Sequence, residues 1–444
     1  GSRAPGARQP CSPLISRQRL ELPWRAPATI APILAASGEE GLIWLDGDGS
    51  DLGRWATLAY QPQQTVCCRG LPGEPNASNP FEALRQLGEG HWSGWLSYEA
   101  AAWTEPANPW SSDGMATLWM ARHDPVVRFD LQQCRLWIEG TDLAVMQSLA
   151  EKLLHAPEPQ RPKPSGILLE DWHHHTPTEH YANGVRQIRA LIAAGDLFQA
   201  NLTACCSTAW PAQASALDLF STVRSHCPAP FAGLMISDQN EALLSASPER
   251  FMQVNTAGQV QTRPIKGTRP RHASPERDAE LAAELVCSDK DRAENVMIVD
   301  LLRNDLGRVC KPGSIRVPQL VGLESYASVH HLTSVVEGEL RQGLSWVDLL
   351  EACWPGGSIS GAPKLRACQR LQELEPTSRG PYCGSMLRID WDGSFDSNIL
   401  IRSLLRQGDT LRAHAGCGIV ADSDPNSEAE ELQWKLQPLL EALA

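Results

Sequence analysis

Before residue 154, apolar residues come in short runs. Gly41–Leu45, Ala116–Arg122 and Pro125–Leu131 are bounded by Gly, Pro or Asn and read as strands joined by turns. Helical spacing in this half is limited to Asn79–Leu87 and Thr141–Leu154. Residues 154–166 then carry four prolines with polar spacers, which neither a helix nor a central strand can continue through. The expected organisation is a region over 16–155, a Pro-rich linker over 156–171 and a second region over 172–444. Residues 1–15 hold basic side chains but no following apolar segment, so a loose arm is expected there and not a signal peptide.

Beyond the linker the patterns sharpen. Thr176-Pro177-Thr178-Glu179 predicts a helix start with Thr176 as cap, and Val185, Ile188, Leu191 and Ile192 carry its stripe to Gly195. Strands are expected at 231–237, 241–246 and 258–263, followed by a long helix from Ser274 to about Arg308, broken near Ser288. The run Val296–Leu302 is apolar nearly all round, which predicts a buried helix in which Asp300 needs Arg303 or Asn304 as partner. Helices mixed with hairpin-like strand pairs point to an α+β chain with antiparallel sheets.

Composition narrows the function. A net charge of −13 disfavours nucleic acid, because phosphate neutralisation needs a basic face. No apolar run reaches the roughly 20 residues of a membrane span. The thirteen cysteines are odd in number, scattered or doubled, and form no CxxC pair; reduced thiols in a cytoplasmic protein are expected.

Three motifs fail on geometry. His173-His174-His175 are consecutive and share no face for a metal. The GxGxxA at Gly416–Ala421 is followed by turn residues instead of a helix. Gly356–Lys364 lacks the Lys-Ser/Thr ending of a P-loop, although its glycines and serines leading into Pro363 could cradle an anion.

Four segments combine glycine, hydroxyl and charge. In Thr262–Arg271, Lys266 beside Gly267 and Thr268 is either a solvated cation or, if buried, a nucleophile of lowered pKa. Glu294 precedes the buried helical run. Glu428 and Glu431 share a helix face, where like charges repel unless a cation lies between them; a cluster of carboxylates suits Mg²⁺, while a solvated acidic face is the plain alternative. Arg402 interrupts the apolar run Ile399–Leu405 and requires either an anionic ligand or an internal salt bridge.

Taken together, SPERF (247–251), RPIKGTRPR (263–271), KDRAENVMIVDLLRNDLGRV (290–309), HHLTSVVEG (330–338), PGGSISGAPKLRA (355–367), Tyr382-Cys383-Gly384, AGCGIVADS (415–423) and SEAEE (427–431) resemble the chorismate-utilising family. That family includes anthranilate, aminodeoxychorismate, isochorismate and salicylate synthases. The motifs keep family order over residues 175–440. The resemblance implies two stacked antiparallel sheets with helices outside and a site for chorismate and Mg²⁺ between them. It implies Glu294 and Glu431 as metal ligands with Glu428 alongside. Arg402, Tyr382, Lys435 and the backbone of Gly416, Cys417 and Gly418 would hold the substrate carboxylates, with His331, Ser358, Gly267 and Thr268 around the ring. Lysine at 266, where anthranilate synthases carry alanine, and Asn201-Leu202, where they carry Pro-Ser, resemble the aminodeoxychorismate branch, which serves p-aminobenzoate and folate synthesis. In that branch Lys266 would attack the ring, Glu249 would protonate the departing hydroxyl, and a glutamine amidotransferase partner would supply ammonia.

Overall fold

A computed structural model describes residues 16–444. The expected arm over 1–15 lies outside the described residues. No described helix is long and apolar enough to cross a membrane.

Two antiparallel sheets form the molecule, as the α+β reading expects. The larger runs from Gln18–Leu22 at one edge through Trp55–Ala59, Ile43–Leu45, Gly233–Ile236, Glu241–Ser245 and Ser403–Gln407 to Thr410–Ile419 and Gln199–Ala209. The smaller carries Ile265–Pro270, Val329–Glu339, Arg250–Val254, Phe395–Asn398, Ser385–Ile389 and His91–Leu96. Strand alternation divides the apolar residues between two cores. Ile43, Met235, Leu243 and Leu405 share a cluster with Trp95, Leu387 and Phe395 of the smaller sheet. Their neighbours Trp44, Leu234, Leu244 and Leu404 face the other way, into a second cluster with the helices Thr178–Ala193, Ala216–His226 and Pro425–Leu443. Several of the fifteen tryptophans, among them Trp44, Trp92, Trp95 and Trp119, are core side chains.

Residues 156–168 have no regular structure, yet both sheets cross this stretch of chain. Ile43–Leu45 pairs with Gly233–Ile236, and His91–Leu96 pairs with Ser385–Ile389. The regions before and after the linker therefore share their sheets.

Two local expectations change. Thr176 does not cap the helix Thr178–Ala193, whose cap is Pro177 with no side-chain hydrogen bond. Thr176 is buried, and its hydroxyl instead accepts from the Cys205 amide at 3.3 Å. The long helical stretch is two helices, Pro275–Val286 and Asp289–Gly307, with Ser288 capping the second at the expected break. That second helix is buried on one face only: Ile298, Val299 and Leu302 point inward, whereas Val296 and Asp300 are exposed. Exposure lets solvent satisfy Asp300, so it needs no partner. The helix's buried acids are Glu294 and Asp305, the latter paired with Lys364 at 2.5 Å and Arg308 at 2.8 Å.

Candidate active site

The strand Thr410–Ile419 runs antiparallel to Gln199–Ala209, with Gly416 opposite Thr203 and Gly418 opposite Asn201. Over these glycines lies a cavity of about 270 Å³. From Ile265–Pro270 come Lys266, Gly267 and Thr268, and from the helix Asp289–Gly307 comes Glu294. Val329–Glu339 supplies His331, the turn Gly357–Ile359 supplies Ser358, and Glu249 lies beside them. Tyr382 and Arg402 close one side; Glu431 and Lys435, from the helix Pro425–Leu443, close another. Thirteen of the fifteen expected side chains and glycines thus meet at one cavity.

Cys417 does not. It lies between two glycines that face the cavity, so strand alternation turns its side chain to the opposite face, where Sγ approaches the Glu428 carbonyl at 3.9 Å. Glu428 also lies off the cavity lining: Lys290 binds one of its oxygens, and the other is buried without a hydrogen-bond partner. Ligand atoms of Cys417, Glu428 and Glu431 nonetheless lie within 4.8 Å of one another.

Burial dominates the electrostatics. It lowers the pKa of Lys266 from the usual lysine value, aided by Lys435 and opposed by Glu294 and Glu249. It pushes the Glu249 carboxyl up to about 7, against a 2.6 Å hydrogen bond from Ser358 Oγ, one of 3.0 Å from the Ile265 amide, and the Lys266 charge. Glu294 is likewise raised by burial to about 7, opposed by Lys266 and Lys290. Burial also acts on Glu431, but the Lys435 and Lys290 ammonium groups hold its pKa below the usual value. His331 is pushed down to about 3 by burial and then by Arg402, so its imidazole is neutral. Its Nδ1 shares a 3.1 Å hydrogen bond with Thr268, and its buried Nε2 has no partner.

Arg402 lies just before the strand Ser403–Gln407, with φ of 51°, and no carboxylate among the described residues pairs with it. Of the two alternatives for this residue, the internal salt bridge is absent among the described residues, and the guanidinium opens into the cavity.

His414, Asn201 and Lys290 also line the cavity; Lys290 opens one motif and Asn201 marks the branch, but motif spacing gives neither a site role, and His414 lies one residue outside its motif. His414 stacks on Tyr382 with ring centroids 4.6 Å apart. One signal does point to it: His414 is two residues from Gly416 on one strand and must share its face.

Three carboxylates, Glu294, Glu428 and Glu431, adjoin one end of the cavity, and a buried oxygen of Glu428 is unpartnered. Of these, Glu428 and Glu431 bring ligand atoms within 4.8 Å of each other and of Cys417 Sγ, while Glu294 stands outside that group; carboxylate oxygens are the donors a hard divalent cation takes.

A model of the chorismate binding enzyme family matches residues 47–441. Aminodeoxychorismate synthase component 1 of Klebsiella aerogenes is 44% identical over 276 residues, 62% of this chain and 60% of that protein. The protein of the same name from Escherichia coli (strain K12) is 40% identical over 282 residues, 64% of this chain and 61% of its own length. The chain therefore spans about three fifths of the length of these two relatives. An anthranilate synthase component I-like protein of Synechocystis sp. is 35% identical over 422 residues, 89% of this chain and 84% of that one. Among solved structures, anthranilate synthase component I from Streptococcus pneumoniae superposes with a TM-score of 0.73 at 26% identity, covering 87% of this chain and 92% of that one. MenF, the isochorismate synthase of Escherichia coli, shares the fold with a TM-score of 0.74 at 17% identity, over 97% and 94% of the two chains.

Proposed function

Because the chain belongs to the chorismate binding enzyme family, we propose that it aminates chorismate at C4, giving 4-amino-4-deoxychorismate. The observation that carries this reading is Lys266: a buried amine of lowered pKa, in one cavity with Glu249, a carboxyl held near neutrality.

The Lys266 amine forms a bond to C2 of the ring, the double bonds shift, and the C4–O bond breaks. Glu249 gives its proton to the departing hydroxyl, which leaves as water. Ammonia then bonds to C4, the double bonds shift back, and the bond to Lys266 breaks. The proton lost from the new ammonium restores Glu249. Arg402, Tyr382 and Lys435, which line the cavity, would hold carboxylates of the substrate, and the neutral His331 would offer its unpartnered nitrogen to the ring. Glu294 and Glu431, with Glu428 behind them, would hold Mg²⁺. When bound, the ion neutralises a substrate carboxylate and makes the ring more electrophilic.

Ammonia would come from a glutamine amidotransferase partner, as the component naming of the Klebsiella and Escherichia relatives suits. The described cysteines are all free thiols, which suits a cytoplasmic location.

Amination at C2 with loss of pyruvate, the anthranilate reaction, is the second reading, favoured by the long alignment to the Synechocystis relative. Incubation with chorismate, Mg²⁺ and ammonium, with the product identified by mass, separates them. A non-aromatic amine that retains the enolpyruvyl group supports C4 amination; a fluorescent aromatic amine replaces it with the second reading.

A further inference from the structure

Arg379 is among the most deeply buried large side chains of the protein, yet it does not line the cavity. Its guanidinium donates to the Ile359 carbonyl at 2.6 Å and the Asn201 carbonyl at 2.8 Å. It also grips Glu375 through two bonds of 2.8 and 2.9 Å, and Glu375 in turn accepts from the Thr203 amide at 2.9 Å. Each endpoint adjoins the site. Ile359 is next to Ser358, the donor to Glu249, while Asn201 and Thr203 lie opposite Gly418 and Gly416.

We propose that Arg379 is a positioning residue for acid catalysis: through Ile359 it fixes the Ser358 hydroxyl on Glu249, and through Asn201 and Glu375 it locks that turn to the strand beneath the substrate. This rests on the reading of Glu249 as the proton donor. The groups acting on that carboxyl are the Ser358 hydroxyl, the Ile265 amide and, when it is protonated, Lys266, each of which favours its ionised form. If the turn drifts, the Ser358 bond is lost, the carboxyl holds its proton to higher pH, and the acid is misplaced for transfer.

The test is the pH profile of kcat at saturating chorismate and Mg²⁺ and constant free ammonia, for the full chain and for Ser358→Ala, Arg379→Lys and the double variant. The alkaline limb should move to higher pH by the same interval in both single variants and no further in the double. The kcat of Arg379→Lys should fall on the order of tenfold to a hundredfold, with KM for chorismate changed by less than about threefold. An alkaline limb left in place in Arg379→Lys, no movement in Ser358→Ala, or additive movement in the double variant overturns the proposal. If Arg379→Lys does not fold, Glu375→Gln is decisive in the same way: its limb moves, or the proposal fails. Failure of the functional reading looks different, since Glu249→Gln would then keep the alkaline limb of the unaltered chain.

Discussion

Gly418 lies directly over Lys266: a β carbon at position 418 would stand 3.2 Å from the Lys266 Nζ and closer still to a Glu294 oxygen. The backbone at 418 is not in the left-handed region, so the requirement is for room alone. Gly418→Ala should leave the sheet intact and displace both side chains. Turnover is expected to fall by roughly a hundredfold, the cost of about an ångström of misplacement at a reacting group. Steady-state rates beside an unchanged melting temperature check this.

The raised pKa of Glu249 sets a pH dependence whose sign comes from its role. The proton donor must be protonated, so kcat at fixed free ammonia should decline above about 7 as the Glu249 carboxyl ionises, while at lower pH it should fall as the Lys266 nucleophile takes up a proton. In Glu249→Gln the alkaline limb should vanish together with most of the activity. A pH series on the two chains decides.

Arg402 combines a left-handed backbone with a guanidinium that has no carboxylate partner among the described residues. The conformation costs on the order of 1 kcal/mol for a non-glycine residue. Arg402→Gly should therefore be no less stable than the unaltered chain, while a lost charge-assisted carboxylate contact weakens chorismate binding by about 1.5–3 kcal/mol. Calorimetric titration with chorismate, beside thermal unfolding, measures both.

Much of this architecture is legible in the sequence, for identifiable reasons. Ser288 divides the long helical stretch because its hydroxyl can cap the helix that begins at Asp289, and local capping chemistry is visible in one dimension. The glycine-and-charge segments converge because each motif keeps its spacing. Thr176 deceives: its cap-like context is overridden by a tertiary bond to the Cys205 amide. The motif groups Cys417 with its flanking glycines, although strand alternation alone sends its side chain to the other face. Arg379 leaves no trace in a motif reading, since two of its partners are backbone carbonyls, one 178 residues away.

The central claim is that the Lys266 amine bonds covalently to the ring. Its most direct test is rapid acid quenching during turnover of chorismate with Mg²⁺ and ammonia withheld, followed by peptide mass mapping. The peptide containing Lys266 should gain the mass of chorismate less one water, and lose it again when ammonia is added before the quench. An unmodified Lys266 peptide under conditions where the added ammonia yields 4-amino-4-deoxychorismate at full rate would contradict the covalent route.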